Sequence, residues 1–323
     1  MTYPIITIGM LTKNRAWCIR KVLGAIEKLE YLKKKIKLVF VDDHSTDGTF
    51  ETLAEWRAKI NNWYYDIILI QERTNIPQAR NICIKHMEGK YLLFWDSDVI
   101  PPKDLLKQMV DIMESNPDIG IIGTDYLYKH TNMYMRMLGK PVTNRFTHAV
   151  YMGFTLIRRE VFEKVQGFNE LLSVGEDTEF CIRVAEKTDY KIMWAPRPVI
   201  HLRPQEAKLF KQSFNKWLSY NFHIRGKEYA ESFNKLPLFL RFRIFYYTFL
   251  PLILIFSLFI AYYTNLVWAL LAFITYLLPG LFLAVRNLGI RKGILSFLIL
   301  NIPTGVTLSY GVIVYASKKL LRK

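Results

Sequence analysis

Ile36-Lys37-Leu38-Val39-Phe40-Val41-Asp42-Asp43-His44-Ser45-Thr46-Asp47-Gly48-Thr49 is the stretch on which the fold turns. An apolar run of six residues reads as a strand, the polar cluster closes it, and a helix follows to about Ile60. The same grammar repeats on either side. Ile5–Leu11 is an apolar strand ending in Thr12-Lys13-Asn14, and Arg15–Tyr31 sets Ile19, Val22, Leu23, Ile26 and Leu29 at helical spacing. Further on come a strand at Ile67–Ile70, a helix at Gln78–Met87, and a strand at Tyr91–Trp95 closed by Asp96-Ser97-Asp98. Alternating strands and helices predict a parallel sheet covered on both faces. Ligands of such sheets bind beyond the carboxyl ends of the strands. The clusters at 12–15, 42–49 and 96–98 all fall on that edge.

The remainder of this region is less regular. Residues 125–145 are rich in Tyr and Met without a clear period and read as a mobile flap. Ala149–Ile157 returns to strand character, and Glu176-Asp177 opens a helix through Phe180 and Val184.

Charge divides the chain. Of its 323 residues, 44 are Lys or Arg and 28 Asp or Glu, yet residues 244–323 contain seven basic residues and no acid. A chain so divided is neither a simple soluble globule, nor disordered, nor a disulfide-rich secreted module. Cys18, Cys83 and Cys181 lie far apart without metal-ligand spacing, which predicts buried thiols on a reducing face. The first residues lack a signal-peptide pattern, so the amino-terminal head is expected on the cytosolic side. The basic excess sits beside apolar spans, where anionic lipid is a simpler partner than nucleic acid; no nucleic-acid partner is expected.

Residues 244–264 and 266–285 are uncharged and long enough to cross a bilayer, joined by the short Thr264-Asn265 link. Residues 294–316 form a third span interrupted by Asn301, Pro303 and Gly305. The basic loop at 286–293 belongs on the cytosolic side, although three crossings then put the basic tail at 318–323 outside. Before the spans, Leu209, Phe210, Phe214, Trp217, Leu218 and Phe222 share one face of a helix opposite several lysines. That pattern fits a helix in a membrane interface, or one packed on the head.

Several motifs carry chemistry. Asp96 and Asp98, two apart at a strand end, can face a hard cation that also binds a diphosphate, or sit in an ordinary surface loop. The 42–49 motif can accept hydrogen bonds from a base or ribose, or form a turn and an N-cap around Asp47 or Thr49. Arg80, in the first turn of a helix, can pair with a phosphate or make a structural salt bridge. Glu176, Asp177 and Glu179 open another helix; capping and the helix dipole explain one or two of them, and a third invites a role such as general base.

In sequence order, Thr12-x-Asn14-Arg15, the 42–49 motif, Ala79-Arg80-Asn81, Asp96-x-Asp98, Arg158-Arg159-Glu160 before Gly167-Phe168, and Glu176-Asp177 with Phe180 and Arg183 resemble the inverting glycosyltransferases of family 2. The resemblance spans roughly residues 5–202. It implies an α/β nucleotide-diphospho-sugar transferase fold, Rossmann-like and of the GT-A type, over residues 1–203. Interfacial helices at 204–243 and a membrane domain at 244–323 complete the expected organisation.

Roles follow from the same resemblance. Thr12, Asn14, Arg15, Asp42 and Asp43 would line the nucleotide-sugar pocket, and Arg80 would approach the diphosphate. Asp96 would touch ribose or metal, Asp98 would ligate Mn²⁺ or Mg²⁺, and His201 matches a third metal-ligand position. Asp177 would deprotonate the acceptor, with Glu176 helping to place it. Leu11 and Lys13 stand where Pro and Tyr are common in the family, and the glycine usual before Ala-Arg-Asn is missing, which leaves the nucleobase open. The layout is similar to dolichyl- and polyprenyl-phosphate glycosyltransferases: head, interfacial helices, short membrane domain. Arg203, Lys216 and Trp217 are the expected acceptor or interface residues, the last two sitting where processive polysaccharide synthases carry a Gln-x-x-Arg-Trp motif. The resulting expectation is a metal-dependent, multi-pass membrane enzyme moving one hexose from a nucleotide sugar, mannose from GDP-mannose by preference, to a lipid phosphate or lipid-linked glycan. Its head would lie on the cytoplasmic side of the cell membrane. An oligomeric processive synthase using a UDP-sugar and an inactive membrane scaffold are the alternatives.

Overall fold

Strand β1 (Ile6–Thr12) lies between β2 (Ile36–Asp42) and β4 (Tyr91–Trp95) and runs parallel to both, with Thr12 level with Asp42. The structure, a computed structural model, describes residues 3–128, 141–172 and 175–202, together with Leu238, Arg241, Leu278 and Tyr310. The chain divides into two units, Met1–His130 with Lys140–Ala207 and Thr131–Gly139 with Lys208–Lys323. The fold and site set out below belong to the first.

Both faces of the central strands are buried, so their sequences are mostly apolar; the buried Lys37 of β2 is paired with Asp66 and Glu88. Side chains alternate between two cores. Leu38, Phe40, Leu93 and Trp95 join one, with α1 (Ile19–Glu27), α2 (Thr49–Ile60) and α4 (Leu105–Ser115). Val39, Val41, Leu92 and Phe94 join the other, with α3 (Ile76–Lys85), α5 (Arg159–Val165) and α6 (Glu176–Lys187). Helix α3 begins two residues before the expected Gln78, because the Asn75 side chain accepts from the Gln78 N–H while Gln78 reaches back to the Asn75 N–H.

The sheet departs from the expected all-parallel arrangement. Its order is β3-β2-β1-β4-β9-β6-β10-β8, where β3 is Asp66–Gln71, β6 Ile119–Gly123, β8 Phe146–Thr147, β9 Phe154–Arg158 and β10 Lys191–Trp194. Strand β9 inserts antiparallel between β4 and β6. Arg158 at its end explains part of that fit: its guanidinium donates to the Ile119 and Met113 carbonyls and to the Tyr91 hydroxyl. Arg159 likewise donates to the Gly89 and Met87 carbonyls. A second sheet, β5-β11-β7, joins Val99–Ile100, Val199–His201 and Tyr126–Tyr128.

This small sheet corrects the flap reading at the described ends of the segment 125–145. Tyr126–Tyr128 pairs parallel with Val199–His201, and the Asp125 carboxylate accepts from the N–H groups of Tyr126 and Val142. The described ends of the segment are therefore tied down; residues 129–140 lie outside the described residues. All three cysteines are free and buried, as expected. Burial pushes each thiol up to about 12, which leaves them inert.

Among the described residues no helix is long and apolar enough to cross a membrane. Apart from isolated positions, the expected spans at 244–264, 266–285 and 294–316 and the amphipathic stretch at 205–222 lie outside the described residues, as do Arg203, Lys216 and Trp217.

Gly89 offers a direct test of the sheet's packing. Its φ of +83° suits glycine, and a Cβ there would come within 2.0 Å of the Ile5 carbonyl oxygen. Gly89→Ala is expected to cost at least about 2 kcal/mol. Thermal unfolding should then show a Tm lower by roughly 4–8 °C.

Candidate active site

The carboxyl ends of β1, β2 and β4 bring three polar clusters together, and most of their side chains first hold each other. Thr12 Oγ1 donates to Asp42 Oδ1 at 2.9 Å. The Ser45 N–H and hydroxyl and the Gln71 amide also donate to Asp42, whose oxygens are spent inside the protein. Asn14, with φ +52°, receives the Thr46 N–H on its side chain and donates its own N–H to Ser45. The Arg15 N–H donates to Thr49, and the Ala16 N–H to Asp47. Asp47 also accepts from the Thr49 N–H at the start of α2, so the turn-and-cap reading holds for it. Lys13 and Asp43 form an ion pair at the rim, 2.5 Å apart. The 12–15 and 42–49 loops are thus laced into one rigid wall.

Asp98 is the meeting point of the second group. Its Oδ2 lies 3.6 Å from Arg15 Nε, and its Oδ1 lies 3.8 Å from His201 Nε2. The His201 Nδ1 is 2.7 Å from the Leu202 carbonyl oxygen, which can only accept, so the proton resides on Nδ1 in the neutral ring. In that tautomer Nε2 is the ring nitrogen on the Asp98 side. A carboxylate and an imidazole at this edge are a donor set that would suit a divalent cation. Among the described residues no three His, Cys, Asp or Glu side chains gather into a complete cage.

Asp96 lies deeper than Asp98. Loss of solvation raises its pKa, opposed by the Arg80 guanidinium and reinforced by Asp98. Its N–H donates to the Gly153 carbonyl, and the Leu202 N–H donates to the Asp98 carbonyl, so both ends of the Asp-x-Asp turn are pinned by the backbone. Sequence reasoning missed three residues here. A Cβ at Gly153 would fall 2.0 Å from the Tyr126 hydroxyl and 2.8 Å from Asp96 Oδ2. Tyr126 stacks on Tyr151 and meets His201 edge-on at 5.0 Å. The only available signals were a glycine near a strand start and a Tyr-rich run.

Helix α6 resolves the three acids at its start. Glu176 pairs with Arg80 at 2.5 Å, both almost fully buried. Arg80 also lies over the rings of Phe94 and Phe168. It is thus a buried cation held in an ion pair, the alternative to a diphosphate partner that its place in the sequence left open. Burial works against the Arg80 charge, but Glu176, Asp96 and Asp177 outweigh it and its pKa is raised. Burial likewise raises Glu176, against the pull of Arg80. Glu179 pairs with Arg183, which also donates to the carbonyls of Val165 and Gly167. Asp177 alone of the three makes no ion pair within 4 Å among the described residues; its Oδ1 accepts from the Thr178 N–H at 2.6 Å. Nearby, Asn81 grips the Phe168 backbone from both sides, accepting its N–H and donating to its carbonyl.

A twisted, mostly parallel sheet, with paired carboxylates at its carboxyl edge, is the architecture of a nucleotide-diphospho-sugar transferase of the GT-A type. The model of glycosyl transferase family 2 matches residues 7–166, and that of glycosyl transferase family group 2 matches residues 91–310. The chain belongs to the family 2 glycosyltransferases. It is similar to glycosyltransferase AglE of Haloferax volcanii, 24% identical over 238 residues that cover 67% of this chain and 75% of AglE. It is also similar to the probable glycosyltransferase YdaM of Bacillus subtilis, 23% identical over 76% of this chain and 62% of YdaM. Among solved structures, mannosyltransferase PcManGT from Pyrobaculum calidifontis, in complex with GDP-Man and Mn²⁺, superposes with a TM-score of 0.57 at 20% identity, covering 100% of this chain and 89% of that one. S. aureus TarS 1-349 in complex with UDP-GlcNAc gives 0.52 at 18% identity, covering 90% and 89%. At these identities the structural likeness is one of fold.

Two substitutions test the site's construction. Arg80→Met strands the Glu176 carboxylate and should cost about 3–5 kcal/mol, with most of that regained in Arg80→Met/Glu176→Met. Denaturant unfolding of the single and double variants reads this directly. Gly153→Ala should lower kcat by about 100-fold while the protein stays folded, because displacement of Asp96 by even 1 Å misaligns the reacting groups.

Proposed function

We propose that the protein transfers a single hexose, mannose from GDP-mannose, to a dolichyl or polyprenyl phosphate or a lipid-linked glycan, working from the cytoplasmic face of the cell membrane. The observation that carries the catalytic part is the Asp98–His201 pair at the carboxyl edge of the sheet, 3.8 Å apart with the imidazole proton held on Nδ1. The membrane part is supported by the sequence of residues 244–323, apolar and free of acids.

Asp98 and His201, together with Asp96, would hold Mn²⁺ or Mg²⁺. The cation, when bound, neutralises charge that develops on the departing nucleoside diphosphate. Arg15, beside Asp98, adds a positive group on the same side. The wall made by the 12–15 and 42–45 loops, including Thr12, Asn14 and Asp43, frames the nucleoside. Asp42 acts within that wall by fixing its shape.

Asp177 supplies the base. Its Oδ1 is occupied by the Thr178 N–H, so Oδ2 is the oxygen that takes the proton of an acceptor hydroxyl. With a phosphate as acceptor, little proton transfer is needed and the same carboxylate orients the nucleophile. Glu176 and Arg80 hold the first turn of α6, and with it Asp177, at a fixed height. Attack on the face opposite the leaving group inverts the anomeric centre.

Purified full-length protein should convert GDP-mannose and a polyprenyl phosphate to one mono-mannosylated lipid per acceptor, read by mass spectrometry. EDTA, or Asp98→Ala, should reduce turnover at least about 100-fold, as expected for loss of charge stabilisation worth several kcal/mol. Metal-independent transfer sinks the metal assignment. A ladder of added sugars points to a processive synthase, and productive transfer from UDP-sugars alone replaces the donor.

A further inference from the structure

Beside the site, on the flank of α1, lies an open groove of about 560 Å³ that the transfer reaction does not use. Its floor is apolar, made by Ile100, Ile200 and Leu202 together with Pro101. Its rim carries four cations, Arg20, Lys21, Lys28 and Lys103, and among the described residues no acid lines it. Arg20 and Lys103 face Glu55 and Glu30 across exposed ion pairs, which hold such side chains only weakly. Lys21 and Lys28 have no ion pair within 4 Å among the described residues.

Gly24 gives the second observation. It sits inside α1, where glycine is a poor helix former relative to alanine. A Cβ at this position meets no atom within 4 Å, and its backbone is not left-handed, so neither packing nor conformation asks for glycine. What the missing side chain does is leave the groove open.

We propose that this groove binds an anionic phospholipid of the bilayer, with the headgroup phosphate among the four cations and an acyl chain along the Ile100–Ile200–Leu202 floor. Charge complementarity selects this occupant. The stretch 203–243 of the same chain, with nine basic and three acidic residues, carries the same sign of charge as the rim. A nucleic acid has no apolar chain to cover the floor. A phosphate-headed amphiphile satisfies both surfaces, and the volume lies in the range of small-molecule sites, roughly 300–1,000 Å³. The groove thereby gives the catalytic head its own lipid contact, independent of which sugar or acceptor it uses.

The test is photo-crosslinking of the full-length protein in nanodiscs, with a diazirine in the acyl chain of phosphatidylglycerol or of phosphatidylcholine. Peptides covering α1 and Val99–Lys103 should be labelled by phosphatidylglycerol about tenfold more than by phosphatidylcholine. Gly24→Leu fills the groove and favours the helix, and should remove that labelling at an unchanged or raised Tm. Lys21→Glu/Lys28→Glu should remove it as well, which keeps the test sound if the leucine variant folds poorly. Equal labelling by the two lipids overturns the proposal, as does phosphatidylglycerol labelling that survives in folded Gly24→Leu or in the double lysine variant. The readout is labelling, so loss of transferase activity in any arm does not bear on it.

Discussion

Arg80 and Glu176 meet 2.5 Å apart in a place water hardly reaches, under the rings of Phe94 and Phe168. Removing two charges from water is costly, and their mutual attraction repays it only when the geometry is close and each keeps its partner. The pair therefore ties α3 to the first turn of α6, two elements separated by nearly a hundred residues. Asp177 follows Glu176 directly, so its height over the sheet is set by this bond. Asp96 feels the same guanidinium from the other side. Asp96 and Asp177 are thus referenced to one buried cation.

The other wall depends on a different economy of hydrogen bonds. Asp42 has no exposed surface and accepts from Thr12, Ser45 and Gln71, while Asn14, Arg15 and Ala16 reach across to residues 45–49. Two loops that carry many polar groups would each be mobile alone. Laced together they present a fixed surface, and the residues left facing outward, Lys13, Asn14, Arg15 and Asp43, are positioned by those that do not. A preorganised polar surface of this kind stabilises charge without reorganising when charge develops. The groove on the flank of α1 is built differently: among the described residues its rim cations are unpaired or held only in exposed ion pairs, over an apolar floor.

Local patterns made a large part of this legible. The apolar runs that became β1, β2, β3 and β4 alternate with amphipathic helices, and each polar cluster sits at a strand's carboxyl end, so both the sheet and its ligand edge could be read from residue order. The antiparallel insertion of β9 could not, because strand direction depends on where the connecting chain leads, and Phe154–Arg158 has the same apolar composition in either orientation. The parallel pairing of Tyr126–Tyr128 with Val199–His201 was hidden for a similar reason. Its partners lie more than seventy residues apart, and a Tyr-rich run has no period that announces a three-residue strand.

What the sequence by itself determined is the inventory and its location: Asp96, Asp98, Asp177, Glu176 and His201 at the ends of recognisable elements, buried cysteines, and an acid-free carboxyl-terminal quarter. The tertiary structure alone decided what each carboxylate and cation is engaged with. Arg80 is found with Glu176 in a buried ion pair, and Asp42 accepts from Thr12, Ser45 and Gln71. Gly153 looks like any glycine until Tyr126 and Asp96 are found against it. The reason is physical: an ionisable side chain's role depends on solvation and on partners within a few ångströms, and those partners come from distant parts of the chain.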